Sequence, residues 1–198
     1  MRFFSMLLIT VGIVILGFGG YQWYATETAQ KNSLAEAKEL IEDSTEETPS
    51  NEEAKIDGTN FSPSTGETAG ILHVPKLDSE LPIIEGTHED ELAQGVGHYG
   101  GTAYPTQDEQ IVLSGHRDTV FRRMGELGLG DILTVELPYG KFSYEIVDTK
   151  IVDADDRTII KPQGKEVLTV TTCYPFNFIG SAPDRYIITA LPVENGNK

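Results

Sequence analysis

The sequence predicts an all-β domain, a small β-barrel or β-sandwich, that follows one N-terminal transmembrane helix. Three observations lead to this interpretation: an apolar beginning, an acidic and polar middle, and a remainder built of short β-branched runs bounded by turn-forming residues. These divide the chain into an anchor at residues 1–25, a flexible acidic linker at 26–69 and one folded domain at 70–198. A domain of that size has room for a proper hydrophobic core.

The first 25 residues, MRFFSMLLITVGIVILGFGGYQWYA, are apolar almost without interruption. About twenty such residues span a bilayer, and Tyr21, Trp23 and Tyr24 are placed where an aromatic belt lies at the membrane surface. Arg2 precedes the span and acidic residues follow it, so the N-terminus is expected in the cytoplasm and the rest of the chain outside. The alternative is a cleaved signal peptide, but the stretch is longer than usual and no convincing cleavage site follows.

The predicted linker carries half of the chain's negative charge. Residues 25–69 contain eleven acids and three lysines, a net charge of −8 out of −16. From residue 42 onward its composition cannot bury enough surface to offset chain entropy, which predicts a flexible stalk. A short run, residues 32–41, favours a few helical turns with Leu34, Ala37, Leu40 and Ile41 on one side. The acidic balance argues against nucleic acid or an anionic membrane surface as the partner of the whole domain.

Short strands are predicted throughout the folded domain. The runs are ILHVP, LPIIEG, QIVLSGH, DILTVEL, FSYEIVDTKIV, EVLTVTTC and RYIITALPV, and LPYGK forms a hairpin turn between two of them. HEDELAQG and TVFRRMGEL favour short helical pieces. The sequence has no internal repeat, no phosphate-binding glycine loop and no paired-cysteine metal motif.

The single cysteine, Cys173, is the strongest indication of function. Outside the cytoplasm a structural cysteine normally has a disulfide partner, and this chain offers none. The thiol is therefore either buried and inert or the centre of the chemistry. A nucleophilic thiolate needs a nearby imidazole or cation, and the tetrahedral intermediate needs a donor for its oxyanion.

Two further residues supply these roles. His116 ends the run IVLSGH as Cys173 ends EVLTVTTC, and Arg185 opens the strand that follows the cysteine, so all three are expected at strand ends. The planar guanidinium suits an oxyanion or a carbonyl. Each residue also has an ordinary structural alternative: Cys173 as a small buried hydrophobe, His116 as a loop-bonded histidine, and Arg185 as a surface ion pair with Asp184 or Asp118. His98, within GVGHYGGTA, is the alternative general base.

Four strings together resemble the sortase family, the membrane-anchored cysteine transpeptidases of Gram-positive bacteria. They are GVGHYGGTA, IVLSGHRDTVFRRMGEL, LTVTTCYPF and SAPDRYIITA, in the order found in that family, between about Ile71 and Pro192. The string CYPFNFIGSAPDR and the absence of a long lid before the domain are most similar to class D sortases.

The resemblance implies a closed eight-stranded β-barrel and a role for each residue. Cys173 is the nucleophile that attacks the threonine carbonyl of an LPxT-type sorting signal on a surface protein. His116 is the general acid and base, and Arg185 holds the substrate backbone and the oxyanion. An amine of a peptidoglycan precursor then resolves the acyl-enzyme and anchors the protein to the cell wall, whereas water gives slow hydrolysis.

Further residues are expected to support this site. Thr172, Ser114 and Asp118 flank the cysteine and the histidine, and they are expected to position those side chains or to line the peptide groove. No metal or other cofactor is predicted, because the acids that could supply one lack EF-hand spacing: Glu85, Glu89, Asp90, Asp153, Asp155 and Asp156.

Two other functions remain open at the level of sequence. L,D-transpeptidases also use cysteine and histidine on β-rich domains, but their cysteine lies in a serine-histidine-glycine-cysteine type string, whereas this chain has Thr171-Thr172-Cys173-Tyr174. Papain-like hydrolysis fits poorly because there the cysteine precedes the histidine. A non-catalytic alternative is a stalked β-barrel that binds wall peptides, with Cys173 as a packing residue.

Overall fold

The apolar, β-branched runs of the sequence become the strands of a barrel in the computed structural model, which describes residues 2–46, 58–177, 180 and 182–193. The elements are α1 (Arg2–Glu46), β1 (Thr68–Val74), β2 (Ser79–Glu85), α2 (Glu89–Gln94), β3 (Val96–His98), β4 (Gln110–Gly115), β5 (Ile132–Leu137), β6 (Gly140–Asp153), β7 (Val167–Tyr174) and β8 (Asp184–Pro192). Single 3₁₀ turns lie at Pro75–Leu77 and Met124–Glu126.

These strands close into a barrel in the order β1-β2-β3-β4-β7-β8-β6-β5. The pairs β2–β3 and β4–β7 are parallel, and the other neighbouring pairs are antiparallel. Alternate residues face the core, which is filled by fully buried aliphatic side chains such as Leu72, Ile83, Leu133, Leu168 and Ile188. The predicted all-β barrel is confirmed. The sequence interpretation missed β3, which has three residues and includes a glycine.

The strand directions define two ends of the barrel. Because β4 and β7 run in parallel, they finish together, at Gly115 and Tyr174. β8 begins at that end because it pairs antiparallel with β7, and the turn between β1 and β2 lies there too. We call this end the Cys173 end. The opposite end holds the beginning of β1 and the loop between β3 and β4.

Helix α1 continues far beyond the predicted anchor. It includes residues 26–46, which the sequence interpretation assigned to a flexible linker, and this part packs on β1 and β2. Ser33 and Ala37, one helical turn apart, are buried against the barrel, whereas Leu40 of the predicted apolar face is exposed. Small residues at positions i and i+4 let the helix approach the sheet closely. The helical turns predicted at residues 32–41 are confirmed, and of their predicted apolar face Ala37 is buried and Leu34 and Ile41 are half-buried.

The end of the predicted linker also belongs to the folded domain. Phe61 packs edge-on against Tyr104 and Tyr139, with ring centroids 4.9 and 5.1 Å apart, and the carbonyl of Gly58 accepts a hydrogen bond from Gln107 at 2.7 Å. The residues from Gly58 onward therefore pack with the domain that was expected to begin at residue 70. Residues 47–57 of the predicted linker lie outside the described part of the chain.

The first half of α1 exposes large apolar side chains around its whole circumference, from Phe3 to Tyr24. By length and composition this helix can cross a membrane. The chain thus carries one N-terminal apolar helix of the kind that anchors a single-pass membrane protein.

Candidate active site

Cys173 and Arg185 are directly opposite each other across β7 and β8. Side chains that are paired in this way on antiparallel strands lie on the same face of the sheet, with Cβ atoms about 4.5–5.5 Å apart. Both side chains are half-buried, and the thiol is not in a disulfide. The register thus places a guanidinium beside a free, partly accessible thiol.

His116 reaches the same place from the other side of β7. Gly115 at the end of β4 is in register with Thr172 of β7, so the next residue of each strand, His116 and Cys173, are also neighbours. His116 is half-buried, as Cys173 is. The three residues that the sequence singled out are therefore brought together at the Cys173 end.

A tight turn holds His116 in position. The backbone N–H of Phe121 donates to the carbonyl of His116 at 3.0 Å, and the Phe121 ring is buried in the core. Gly115 lies against that ring, and a Cβ atom there would be 2.5 Å from the ring carbon Cδ2. Only glycine allows β4 to pass so closely under the anchoring ring.

Thr172 joins the two strands that carry the histidine and the cysteine. Its side chain is buried, and Oγ1 donates to the carbonyl of Gly115 at 2.7 Å. The hydroxyl is thus used between β7 and β4, immediately before Cys173 and His116. This geometry favours a positioning role for Thr172 over direct contact with a peptide.

Arg117 is a site residue that the sequence interpretation missed. Its guanidinium donates to the carbonyl of Pro175 at 3.0 Å and to that of Gly180 at 2.8 Å, so it bridges the two sides of the loop between β7 and β8. The residue after the histidine therefore fixes the loop after the cysteine. The only signal in the sequence is a basic residue next to His116, which periodicity cannot interpret.

Aromatic rings pack beside Cys173. Tyr174, Phe176 and Tyr186 contact one another, with centroid separations of 5.3–6.2 Å. Phe176 also covers Gly125, where a Cβ atom would lie 2.8 Å from the ring. The loop after the cysteine is thereby packed on the segment after the histidine, and the two sides of the site form one unit.

The Arg185 guanidinium keeps donors available for a ligand. Nη1 donates to the carbonyls of Asp184 and Ala182 at 3.0 and 3.3 Å. Among the described residues no carboxylate pairs with it, so the predicted alternative, an ion pair with Asp184 or Asp118, is not formed there. A guanidinium without a counter-charge beside a thiol is suited to a carbonyl oxygen that gains negative charge.

The other expected groove residues differ in exposure. Ser114 is half-buried on β4, in register with Thr171 of β7. Asp118 is exposed in the turn after His116, and its backbone carbonyl accepts two hydrogen bonds from Arg122, at 2.6 and 3.1 Å. The carboxylate of Asp118 therefore faces solvent at the edge of the site.

His98 is not beside Cys173. It lies on β3 in register with Leu113, two strands and about three positions from the cysteine, and it is buried. Its Nδ1 is 2.6 Å from the Glu85 carboxylate and its Nε2 is 3.0 Å from the carbonyl of Ala103, while the Tyr104 ring stacks on it at 3.9 Å. This histidine secures the loop between β3 and β4 and is not placed to act on Cys173 as the alternative base, while its assignment to substrate binding stays a prediction.

The same cluster shifts two pKa values. Burial alone raises the pKa of Glu85, but hydrogen bonds from His98 and Tyr104 outweigh it and hold that pKa below its ordinary value. The pKa of Tyr104 is raised by burial and by its 2.7 Å hydrogen bond to the Glu85 carboxylate. A cavity of about 620 Å³ lies here, far from the thiol, lined partly by Thr102 and Gln107.

Three of the six acidic residues considered as metal ligands, Glu85, Asp153 and Asp156, bond to other protein groups. Asp153 and Asp156 accept hydrogen bonds at 2.8 Å from the backbone N–H groups of Asp155 and Thr158 and so stabilise the turns after β6. Within residues 2–46, 58–177, 180 and 182–193, no three His, Cys, Asp or Glu side chains are arranged to hold a metal ion.

Comparison with known proteins gives a consistent result. The sortase domain family model matches residues 72–193. Sortase D of Bacillus subtilis (strain 168) is 51% identical over 187 residues, which cover 92% of this chain and 94% of that protein. Sortase SrtE1 of Streptomyces coelicolor is 29% identical, over 88% of this chain and 53% of that protein.

Solved structures agree. The catalytic domain of Bacillus anthracis SrtD is 42% identical with a TM-score of 0.57, over 69% of this chain and 97% of that one. A Clostridium perfringens Sortase D5 transpeptidase shares the fold at 23% identity with a TM-score of 0.68, over 84% of this chain and 99% of that one. The site agrees with these matches, because a free cysteine lies with a histidine and an arginine at one end of a closed barrel. The chain belongs to the sortase family of cysteine transpeptidases, with a resemblance to class D.

Proposed function

We propose that this sortase cleaves an LPxT-type sorting signal after its threonine and transfers the cleaved protein to an amine of a peptidoglycan precursor. The observation that carries the proposal is the cross-strand pair of Cys173 and Arg185 with His116 next to it. It supplies a nucleophile, an oxyanion donor and a proton carrier at one end of the barrel.

The proposed reaction has two halves. The Cys173 thiolate attacks the threonine carbonyl carbon, Arg185 stabilises the oxyanion, and His116 protonates the leaving amine as the peptide bond breaks. A thioester then links the threonine to Cys173. The acceptor amine loses a proton to His116 as it attacks the thioester, a new amide forms, and the cysteine sulfur leaves as thiolate. Water in place of the amine gives hydrolysis.

We assign the peptide groove to the surface around these residues. Ser114 on β4 and Asp118 in the exposed turn after His116 are candidates for contacts with the sorting signal. Thr172 acts through its hydrogen bond to Gly115.

The proposed setting is the outer face of the cell membrane. The apolar part of α1 spans the bilayer once with the N-terminus in the cytoplasm, because Arg2 precedes the span and acids follow it. The partners are surface proteins that carry a C-terminal LPxT-type signal and the amine of a peptidoglycan precursor.

Mass spectrometry of the full chain in detergent micelles tests the proposal. The chain is incubated with an LPxTG and LPxTA peptide library, with and without diaminopimelate. We expect a thioester adduct on Cys173 that the amine converts to transpeptidated product, with no adduct on Cys173→Ala and no product from His116→Ala. A folded chain that forms no adduct with any peptide would instead support the non-catalytic wall-peptide-binding alternative.

A further inference from the structure

A second pocket lies between α1 and the segment that follows His116. It has a volume of about 280 Å³, close to the lower limit of small-molecule sites, roughly 300 Å³. Gln30 of α1 forms one wall, and residues of the β1–β2 turn and of the segment 119–124 form the others, among them Leu77, Leu81, Val120, Arg122 and Arg123. We call it the helix-side pocket.

One residue lining the pocket has a polar donor without a partner in the part of the chain that the structure describes. The side-chain Nε2 of Gln30 is buried and has no hydrogen-bond partner among the described residues. Buried amide groups in folded proteins nearly always have a partner, because an unpaired donor costs free energy. Gln30 lines the pocket, and Nε2 is covered by protein atoms, so an acceptor placed in the pocket would satisfy it once the amide turns toward the pocket.

Arg122 adds a positive charge to the same pocket. Its Nε and Nη2 donate only to the backbone carbonyl of Asp118, and in the described part of the chain no carboxylate pairs with it. Its neighbour Arg123 differs, because its guanidinium is bound to Glu126 at 2.8 and 2.9 Å and to the Leu77 carbonyl at 3.1 Å. The charge that remains for a ligand is that of Arg122, so the ligand should be an anion.

The course of α1 places the pocket near the membrane surface. Gln30 lies six positions after Tyr24, about 9 Å along the helix, and each headgroup layer of a bilayer is roughly 5–8 Å deep. Farther along α1, Glu36 accepts a hydrogen bond at 2.9 Å from Thr68, which begins β1 at the opposite end of the barrel. Gln30 itself packs beside the β1–β2 turn, so with the proposed anchor the pocket lies on the part of the domain next to the bilayer.

We propose that the helix-side pocket binds the anionic, phosphate-bearing headgroup of a membrane lipid. Arg122 and the Gln30 amide donate to phosphate oxygens, while Leu77, Leu81 and Val120 contact the adjoining carbon atoms. The acidic residue nearest Gln30 on α1 is Glu27, one helical turn earlier, and its carboxylate is paired with Lys31 at 2.7 Å. The inference rests on the proposed function only for the membrane location. A lipid-borne acceptor bound in the pocket would be held beside the segment that follows His116.

Native mass spectrometry of the full chain in neutral detergent micelles tests this site. The probes are phosphatidylglycerol, diacylglycerol with the same acyl chains, and inorganic phosphate. We expect one tightly bound phosphatidylglycerol per chain. Gln30→Leu and Arg122→Gln should each weaken it about tenfold, the effect of losing one charge-assisted hydrogen bond. Lys165→Gln is the matched control, because Lys165 is exposed before β7, at the opposite end of the barrel, and this variant should bind lipid as the unmodified chain does.

Three results would overturn the proposal. Equal affinity for diacylglycerol would make the pocket a purely apolar groove, and equal affinity for inorganic phosphate would make it a site for free anions. An equal loss in Lys165→Gln would reduce the effect to nonspecific surface charge. Circular dichroism checks folding of Arg122→Gln, and Gln30→Leu tests the site without disturbing the turn at Asp118. If the chain binds lipid but forms no thioester with any peptide, the proposed function is rejected and the lipid site is retained.

Discussion

Replacing Thr172 with valine removes the hydroxyl that joins β7 to β4 while keeping the shape of the side chain. The hydroxyl donates to the Gly115 carbonyl at 2.7 Å, and Thr172 is only 4% exposed, so water cannot replace the bond. Loss of a buried hydrogen bond of this kind costs about 1–2 kcal/mol. For a domain of this size that lowers the melting temperature by about 3–10 °C.

The effect on activity should exceed what this loss of stability explains. The bond lies immediately before Cys173 and His116, and a misplacement of about 1 Å in reacting groups can cost roughly 100-fold in rate. We expect kcat/KM for thioester formation to fall by about 10- to 100-fold in Thr172→Val. Thr172→Ser keeps the donor and should retain most of the activity.

Thr169→Val is the matched control. Thr169 lies three positions earlier on β7, is 3% exposed, and its hydroxyl oxygen accepts a 2.8 Å hydrogen bond from Gln110 of β4, at the far end of both strands. Its replacement should lower the melting temperature similarly and leave kcat/KM nearly unchanged. Both quantities are measured on the full chain, by circular dichroism and by mass spectrometry of the adduct. Equal activity losses in the two variants, or none in Thr172→Val, would refute the positioning role.

Three other substitutions test the site and its support. Arg117→Lys keeps the charge but cannot bridge the carbonyls of Pro175 and Gly180. We expect kcat/KM to fall about tenfold or more while the rate of thiol alkylation by iodoacetamide is unchanged. A kcat/KM equal to that of the unmodified chain would reject the bridging role. Arg185→Lys should slow thioester formation by about 100-fold through loss of the planar donor, and a rate near that of the unmodified chain would exclude an oxyanion role. Glu85→Gln should cost about 1–3 kcal/mol in urea unfolding at pH 7. The pKa of Glu85 in the folded chain lies below its ordinary value of 4.5, so the charged carboxylate stabilises the fold above that pH. The difference in unfolding free energy between the unmodified chain and Glu85→Gln should therefore shrink as the pH falls below 4.5. A difference that stays constant with pH would contradict this.

The strands and their ends could be predicted from local pattern, and the site could be predicted only in part. Alternation and turn residues mark most of the strands. The connection between β7 and β8 is short, so their antiparallel pairing can be expected, and that pairing brings Cys173 opposite Arg185. The parallel pairing of β4 with β7, which brings in His116, joins segments that are more than fifty residues apart. No local pattern specifies that contact, so the expectation depended on the resemblance to a family.

Side chains that act across the fold were beyond the reach of sequence patterns. Arg117 bonds two carbonyls in a loop about sixty positions away, and His98 is held by Glu85 and Ala103 through loop geometry. The helical turns at residues 32–41 were predicted, but their packing on the barrel was not: the composition of residues 26–46 is that of a solvated segment, and the buried residues there are the small Ser33 and Ala37. A hydrophobic pattern based on large residues cannot detect such a surface.

The continuity of α1 has a functional consequence that a flexible stalk would not have. One unbroken helix contains both the apolar segment and the segment packed on β1 and β2, and the Lys38–Glu80 ion pair at 2.6 Å adds to that packing. A helix transmits orientation, whereas a disordered linker lets a domain rotate freely. Together with the proposed anchor, this holds the barrel in a set orientation relative to the bilayer instead of letting it rotate. A sorting signal leaving the membrane would then meet the thiol from a constant direction.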